Sequence, residues 1–447
     1  MIATHPSAAF APSLGLAASS LSDIDTVGRR LTMIVAVVWV AGLAVGFIPA
    51  VTVLTIAGFA AAVAGFVKPS VGVFGVAILC TVDALTRVFL MTGGLLRWNS
   101  FNYLMIAAML LAPAATAKLG DIHSRILVAF ALLLTLQLTF TPDLFTGMHT
   151  MLNVLSPFGI VLYFSRTGYD RRIIAWLGIL CGVLGALGGL VYFLQVDELP
   201  FINKNAWSAF PLTAMFSVCL AYTVVRPELQ LRLGTLAAVN AVWVFLSGSR
   251  GGMFIGIVCL IYLFFRTRST GDKLVLFAAA PALASLLLVI FAAVSDTSMQ
   301  RVTALFDSER GLESRTSGRS DLYIAGWRMF RDNPLGVGTG GFPKTFAQMA
   351  DRDLSFTGTE LGAHSAWVKV LTENGVLGIL VLAAYVLSFA VAGVRSGNAD
   401  LAATGLLVTM ILTTAFFSRE FHSKGLWLAA AGYIAMARYA RGAFGRC

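Results

Sequence analysis

The chain has 447 residues, of which 58% are hydrophobic and 12% charged, with a mean hydropathy of +0.83 and a formal net charge of +10. Side chains this apolar cannot all be kept from water by two or three soluble domains, so the composition points to a polytopic membrane protein. The positive charge does not indicate nucleic acid, because Arg and Lys sit in short connections between apolar runs and not on one basic face.

Residues 1–30 lack a basic n-region and carry Asp23 and Asp25, and they read as a cytoplasmic tail instead of a cleaved signal. Apolar runs follow at 31–48, 51–67, 71–91, 101–117, 124–141, 146–164, 173–194, 206–225, 231–247, 251–265 and 273–294. Three more lie at 365–392, 400–417 and 423–438. Some are short or glycine-rich, and 231–265 also reads as one broken hairpin. The expectation is an all-α bundle of about twelve to fourteen transmembrane helices. Continuous rather than alternating apolar runs exclude a β-barrel. The chain divides into a tail (1–30), a transmembrane bundle (31–294), a polar loop (295–363), the last transmembrane helices (364–438) and a second tail (439–447). Cys80, Cys181, Cys219 and Cys259 fall inside apolar runs, and with Cys447 they form no C-x-x-C pair or Cys/His cluster. They read as small core residues, and no metal or disulfide framework is expected.

Alternate connections differ sharply in basic residues. With the N-terminus inside, seventeen Arg and Lys fall in inner connections, including Arg29, Arg30, Arg171, Arg172, Arg226, Arg266 and Arg395. Only Arg97, Lys204, Arg250, Arg419 and Lys424 fall in the short outer ones. This bias places both termini on the inner, cytoplasmic side and the long loop on the outer face of the membrane, which the resemblance given below makes the periplasmic face of a bacterial inner membrane.

The interval from Val294 to Gly375 is the one long polar stretch, and a loop of that length without function is unusual. Within it, Leu322, Trp327 and Phe330 alternate with Arg319, Arg328 and Arg331, as in a helix lying along the membrane interface. Arg319 follows Gly318 and would start that helix, where free N–H groups favour an anion; a surface contact with Asp321 is the plainer alternative. Arg250 stands in Gly248-Ser249-Arg250-Gly251-Gly252, a small-residue turn that lets a ligand approach its guanidinium, or else the side chain snorkels at the interface. His364 lies where the loop re-enters the membrane, suited to moving a proton near neutrality or to a structural role, with Asp321, Glu360 and Glu373 as rival bases.

Other polar residues read as structural. Gly336-Val337-Gly338-Thr339-Gly340-Gly341 lacks the register of a nucleotide loop and reads as a tight turn between loop helices. Asp83 and Arg87 are spaced to pair within a span. His149, Asn153 and Asn240 read as polar contacts between helices, and His123 falls at the cytoplasmic end.

Three elements in order resemble the O-antigen ligase and O-antigen polymerase superfamily of bacterial membrane glycosyltransferases. They are Ser249-Arg250-Gly251; Ser317-Gly318-Arg319 running on to Asn333-Pro334-Leu335-Gly336 and Gly340-Gly341-Phe342; and His364-Ser365 followed by Leu371-Thr372-Glu373-Asn374-Gly375. The resemblance is specific over about residues 200–380. It implies metal-independent, cofactor-free transfer of a glycan from an undecaprenyl-diphosphate carrier to lipid A-core, or to a growing glycan in a polymerase. It further implies Arg250 and Arg319 as diphosphate ligands and His364 as base. Where many relatives carry His-Asn, this chain has His364-Ser365. Lys204, Asn205 and Arg328 are further candidates for substrate contact. A lipid-linked sugar flippase would instead predict repeated halves with broken helices and midplane charge, and no such repeat is seen.

Overall fold

A computed structural model describes residues 18–65, 68, 71–82, 121–166, 171–195, 204–274, 319–350, 364–418 and 424–444, with isolated positions between 277 and 289. Among the described residues there is no strand. In chain order the helices are α1 (Ala18–Val45), α2 (Phe47–Ala64), α3 (Val71–Val82), α4 (Ile122–Gln137), α5 (Leu144–Arg166), α6 (Arg171–Leu194) and α7 (Lys204–Tyr222). Then come α8 (Pro227–Leu246), α9 (Arg250–Arg266), α10 (Arg319–Asp332), α11 (Phe342–Ala350), α12 (Ala366–Arg395), α13 (Ala399–Ser418) and α14 (Lys424–Phe444). Among the described residues, eight helices are long and apolar enough to cross a membrane, and three shorter apolar ones accompany them. The chain is an all-α polytopic membrane protein. The runs at 101–117 and most of 273–294, together with Asp83, Arg87, Glu360 and Cys447, lie outside the described residues.

Hydrocarbon offers a backbone no hydrogen bonds, so spanning segments must satisfy themselves as helices. Met33, Val37 and Val40 on α1 are 61%, 65% and 60% exposed, which makes a stripe suited to acyl chains. The interior is aromatic. Tyr192 stacks on Trp207 at 3.8 Å and Phe193 on Trp243 at 5.3 Å, contacts worth about 0.5–1.5 kcal/mol each beyond area burial. Glycines on α6 let its neighbours close in: a Cβ at Gly178 would overlap Ala221 of α7, and one at Gly189 would overlap Trp243 of α8. Asn240 joins α8 to α6 by donating to the Gly182 carbonyl at 3.1 Å, the interhelical contact expected of it. His149 and Asn153 meet each other within α5 at 3.3 Å. Cys80, Cys181, Cys219 and Cys259 are buried free thiols.

One boundary differs from expectation and one follows it. Helix α1 begins at Ala18, inside the stretch read as a tail, because Ile24, Val27 and Leu31 recur at helical spacing and pack on the core. Asp25 fixes this end to α6, accepting from Arg172 Nη1 at 3.2 Å and Trp176 Nε1 at 3.0 Å. The 231–265 stretch is two helices, joined by a turn at Ser247–Ser249.

Polar contacts fix which helix ends lie together. At one end, Asp121 caps α4 and meets Arg438 of α14 at 3.5 Å, while buried His123 stacks on Phe389 of α12 at 4.3 Å and shares a 2.6 Å hydrogen bond with Ser388. Arg266 at the end of α9 meets Asp400 at the start of α13 at 2.5 Å, and Tyr262 Oη lies 3.1 Å from Thr404 Oγ1. Helices α9 and α13 therefore run antiparallel in a constant register. The start of α9, with Arg250, thus lies toward the same end of the bundle as the end of α13.

Candidate functional site

The far end of the bundle gathers around the last turn of α13. Its terminal carbonyls have no partner within the helix and need donors from elsewhere. Ser365 Oγ donates to the Phe416 carbonyl at 3.0 Å, Tyr323 Oη to Phe417 at 2.7 Å and Trp367 Nε1 to Thr413 at 3.0 Å. Ser365 also caps α12, with its Oγ accepting from Val368 N at 3.4 Å. These bonds bring the start of α12 and the first turns of α10 to one place.

His364 precedes that cap and is exposed. It is the only non-glycine with positive φ among the described residues, at 50°. A left-handed histidine costs conformational energy, and such strain concentrates at functional positions. Helix α10 begins at Arg319, as the sequence predicts, one turn before Tyr323. It lies close on α12, since a Cβ at Gly326 would come within 3.3 Å of Thr372 Cγ2. Leu322, Ala325 and Met329 form its buried face with Phe342 and Phe346 of α11, leaving Ile324 and Trp327 outward at 50% and 60% exposure. Arg328 is half-buried on the same helix.

Arg250 is the first residue of α9. Gly248 (φ 68°) turns the chain, Ser247 Oγ accepts from Ser249 N at 3.2 Å, and Ser249 Oγ accepts from Gly252 N at 3.3 Å to cap the helix. The first turns of α7 and α9 are in contact, because a Cβ on Gly252 would stand 3.0 Å from the buried Ser208 Cβ. Lys204 and Asn205, which open α7, thus lie one turn from that contact. The side chains of Lys204, Asn205, Arg250 and Arg319 are outside what is described, so their helix positions carry the argument. Four helix starts, those of α7, α9, α10 and α12, collect at this end, and each contributes partial positive charge from its open N–H groups.

The glycine-rich stretch and the Thr372–Val376 stretch prove to be one structural unit. Helix α12 breaks at Gly375 (φ 63°, ψ −155°). The chain at 334–338 fills the break: Val376 N donates to the Pro334 carbonyl at 3.0 Å, Val337 N to Thr372 at 2.9 Å and Gly338 N to Glu373 at 3.0 Å. A Cβ on Gly375 would overlap the Pro334 carbonyl, and one on Gly336 would overlap that of Glu373. Asn374 Nδ2 donates to Thr339 Oγ1 at 3.2 Å, and Thr339 Oγ1 to the Leu134 carbonyl of α4 at 2.9 Å. Glu373, weighed as a base, is 2% exposed and accepts from Phe342 N at 3.4 Å, so it acts as a buried anchor. Beside this unit, Asp143 caps α5 and its carboxyl is held below the ordinary range, first by the Thr146 hydroxyl. Lys344 Nζ donates to the adjacent Pro142 carbonyl at 3.0 Å.

Residues 235–383 match a family model described as O-antigen ligase. The match supports the resemblance of the chain to the O-antigen ligase superfamily over about a third of its length. The matched segment runs from α8 through the break in α12 and contains Arg250, Arg319, Arg328 and His364; Lys204 and Asn205 precede it. A search of curated proteins finds no match. The match supports membrane glycosyltransferase activity of the general ligase and polymerase type. Sequence reasoning missed Tyr323 and the Gly375 break. The only local signal was a glycine inside an otherwise helical apolar run, which marks a break or a close approach.

Proposed function

We propose that the protein is a metal-independent glycosyltransferase that moves a glycan from undecaprenyl diphosphate onto an acceptor hydroxyl of lipid A-core, on the periplasmic face of the inner membrane. In this reading Arg250 and Arg319 bind the carrier diphosphate, with Lys204, Asn205 and Arg328 near the sugar or phosphate. The bond from the anomeric carbon to the phosphate oxygen breaks as the acceptor oxygen bonds to that carbon. His364 takes the acceptor's proton, and undecaprenyl diphosphate leaves. Negative charge grows on the leaving group, and fixed guanidinium groups and helix starts stabilise it most in a site shielded from water. Proton removal by a positioned base is worth roughly a hundred- to ten-thousand-fold.

The observation that supports the reading is that the starts of α10 and α12, beside Arg319 and His364, meet at the end of α13, with α9 opening on Arg250 toward the same end. The test is complementation of a deletion strain, read as lipopolysaccharide on gels. Wild type should restore capped core, whereas Arg250→Ala, Arg319→Ala and His364→Ala should each leave bare core with the protein inserted. Accumulation of single repeats on capped core in the deletion strain would replace ligase by polymerase. Unchanged glycan in all variants would remove the mechanism.

A further inference from the structure

The opposite end of the bundle holds a cavity of about 460 Å3 between the start of α6, the α7–α8 turn, the start of α13 and the end of α14. Its charges are unbalanced. Asp400 on its wall is already paired with Arg266, and Arg172 next to it with Asp25. Arg171 and Arg226 also line the wall, and neither side chain makes an ion pair or hydrogen bond among the described residues. Arg226 is the N-cap of α8 yet gives no side-chain cap bond, and Pro227 follows it. Glu228, the one acid in that helix's first turn, is exposed. Asn398 spends its Oδ1 on the N–H groups of Asp400 and Leu401, and its Nδ2 donates to no described residue. Two guanidinium groups, an amide donor and the starts of α6, α8 and α13 thus face one space. The rest of the wall is apolar, including Val225 and Met436.

We propose that this cavity binds the phosphate headgroup of an anionic membrane phospholipid. Arg171 and Arg226 hold the phosphate, Asn398 donates to an ester or glycerol oxygen, and Val225 and Met436 receive the first acyl carbons. The apolar wall favours a lipid over a soluble phosphate, and basic pockets between helices on the cytoplasmic side suit such headgroups. The site is remote from His364 and stands independently of the glycosyl-transfer reading.

The test is native mass spectrometry of the detergent-purified full chain given phosphatidylglycerol or, separately, phosphatidylcholine. Wild type should retain phosphatidylglycerol selectively. The double variant Arg171→Ala/Arg226→Ala should retain it about tenfold less, the loss of two exposed charge contacts of about 0.7 kcal/mol each. Arg171→Lys/Arg226→Lys, with charge kept, should hold most of it. Arg395→Ala, an exposed arginine of the same end outside the cavity, should match wild type. Equal retention in the double alanine variant, or an equal loss in Arg395→Ala, would overturn the proposal. So would displacement of the lipid by millimolar inorganic phosphate, which would assign the cavity to a soluble anion.

Discussion

The two ends of the bundle use polar side chains differently. At the end with Asp121, Arg266 and Asp400, ionic groups meet ionic groups: Asp121 with Arg438, Arg266 with Asp400, Asp25 with Arg172. At the end with His364, neutral side chains meet backbone: Ser365, Tyr323 and Trp367 close the carbonyls of α13, and Thr339 closes one of α4. Paired charges lock helices at one end, although the side chains of Arg171 and Arg226 there pair with no described residue. Backbone capping by neutral residues locks helices at the other, beside the helix starts that carry Arg250, Arg319 and the exposed His364.

Substitutions should separate the ends. The largest effect is expected for Arg250→Ala and Arg319→Ala, a loss of transfer of a hundredfold or more with normal membrane insertion, checked by product analysis in isolated membranes. Arg319→Lys should recover only part, since an ammonium cannot reproduce a two-pronged contact. Gly375→Ala should lower both folded yield and activity, because the new methyl overlaps the Pro334 carbonyl in a left-handed conformation, at a cost of several kcal/mol. Gly397→Ala is its control: φ is also positive, at 65°, but nothing lies within 4 Å, so only about 1 kcal/mol should be lost in thermal unfolding.

At the ionic end, Asp121→Asn should cost about 1–3 kcal/mol through weaker capping and the lost Arg438 contact, with transfer rates unchanged once folded. Asp143→Ala should cost least, as the loss of an N-cap at an exposed site. Its folded carboxyl titrates below the unfolded one. That contribution is therefore complete above the unfolded value near pH 4 and disappears as pH falls through the folded value. Wild type and Asp143→Ala should accordingly converge in stability in strong acid, which melting curves across pH would show.

Much of this was legible in the sequence because lipid imposes long apolar runs. The helix start at Arg319 and the turn at Ser247–Ser249 followed from local capping and small-residue signals. The Gly375 break did not, since its cause lies 41 residues earlier at Pro334, and pairing over such distance leaves no periodic trace. The helical nature of residues 18–30 was hidden for another reason. Ile24, Val27 and Leu31 form a narrow stripe among polar residues, too sparse to register as an apolar run. The antiparallel pairing of α9 with α13, which sets Arg250 toward the end of α13, needed two tertiary contacts, Arg266–Asp400 and Tyr262–Thr404.

The most direct measurement is glycan transfer in vitro by purified wild type and His364→Ala, from a lipid diphosphate donor to lipid A-core, followed as product per enzyme over time. A fall of a hundredfold or more, with donor binding retained, is the predicted result. Turnover by His364→Ala at the wild-type rate would contradict the account.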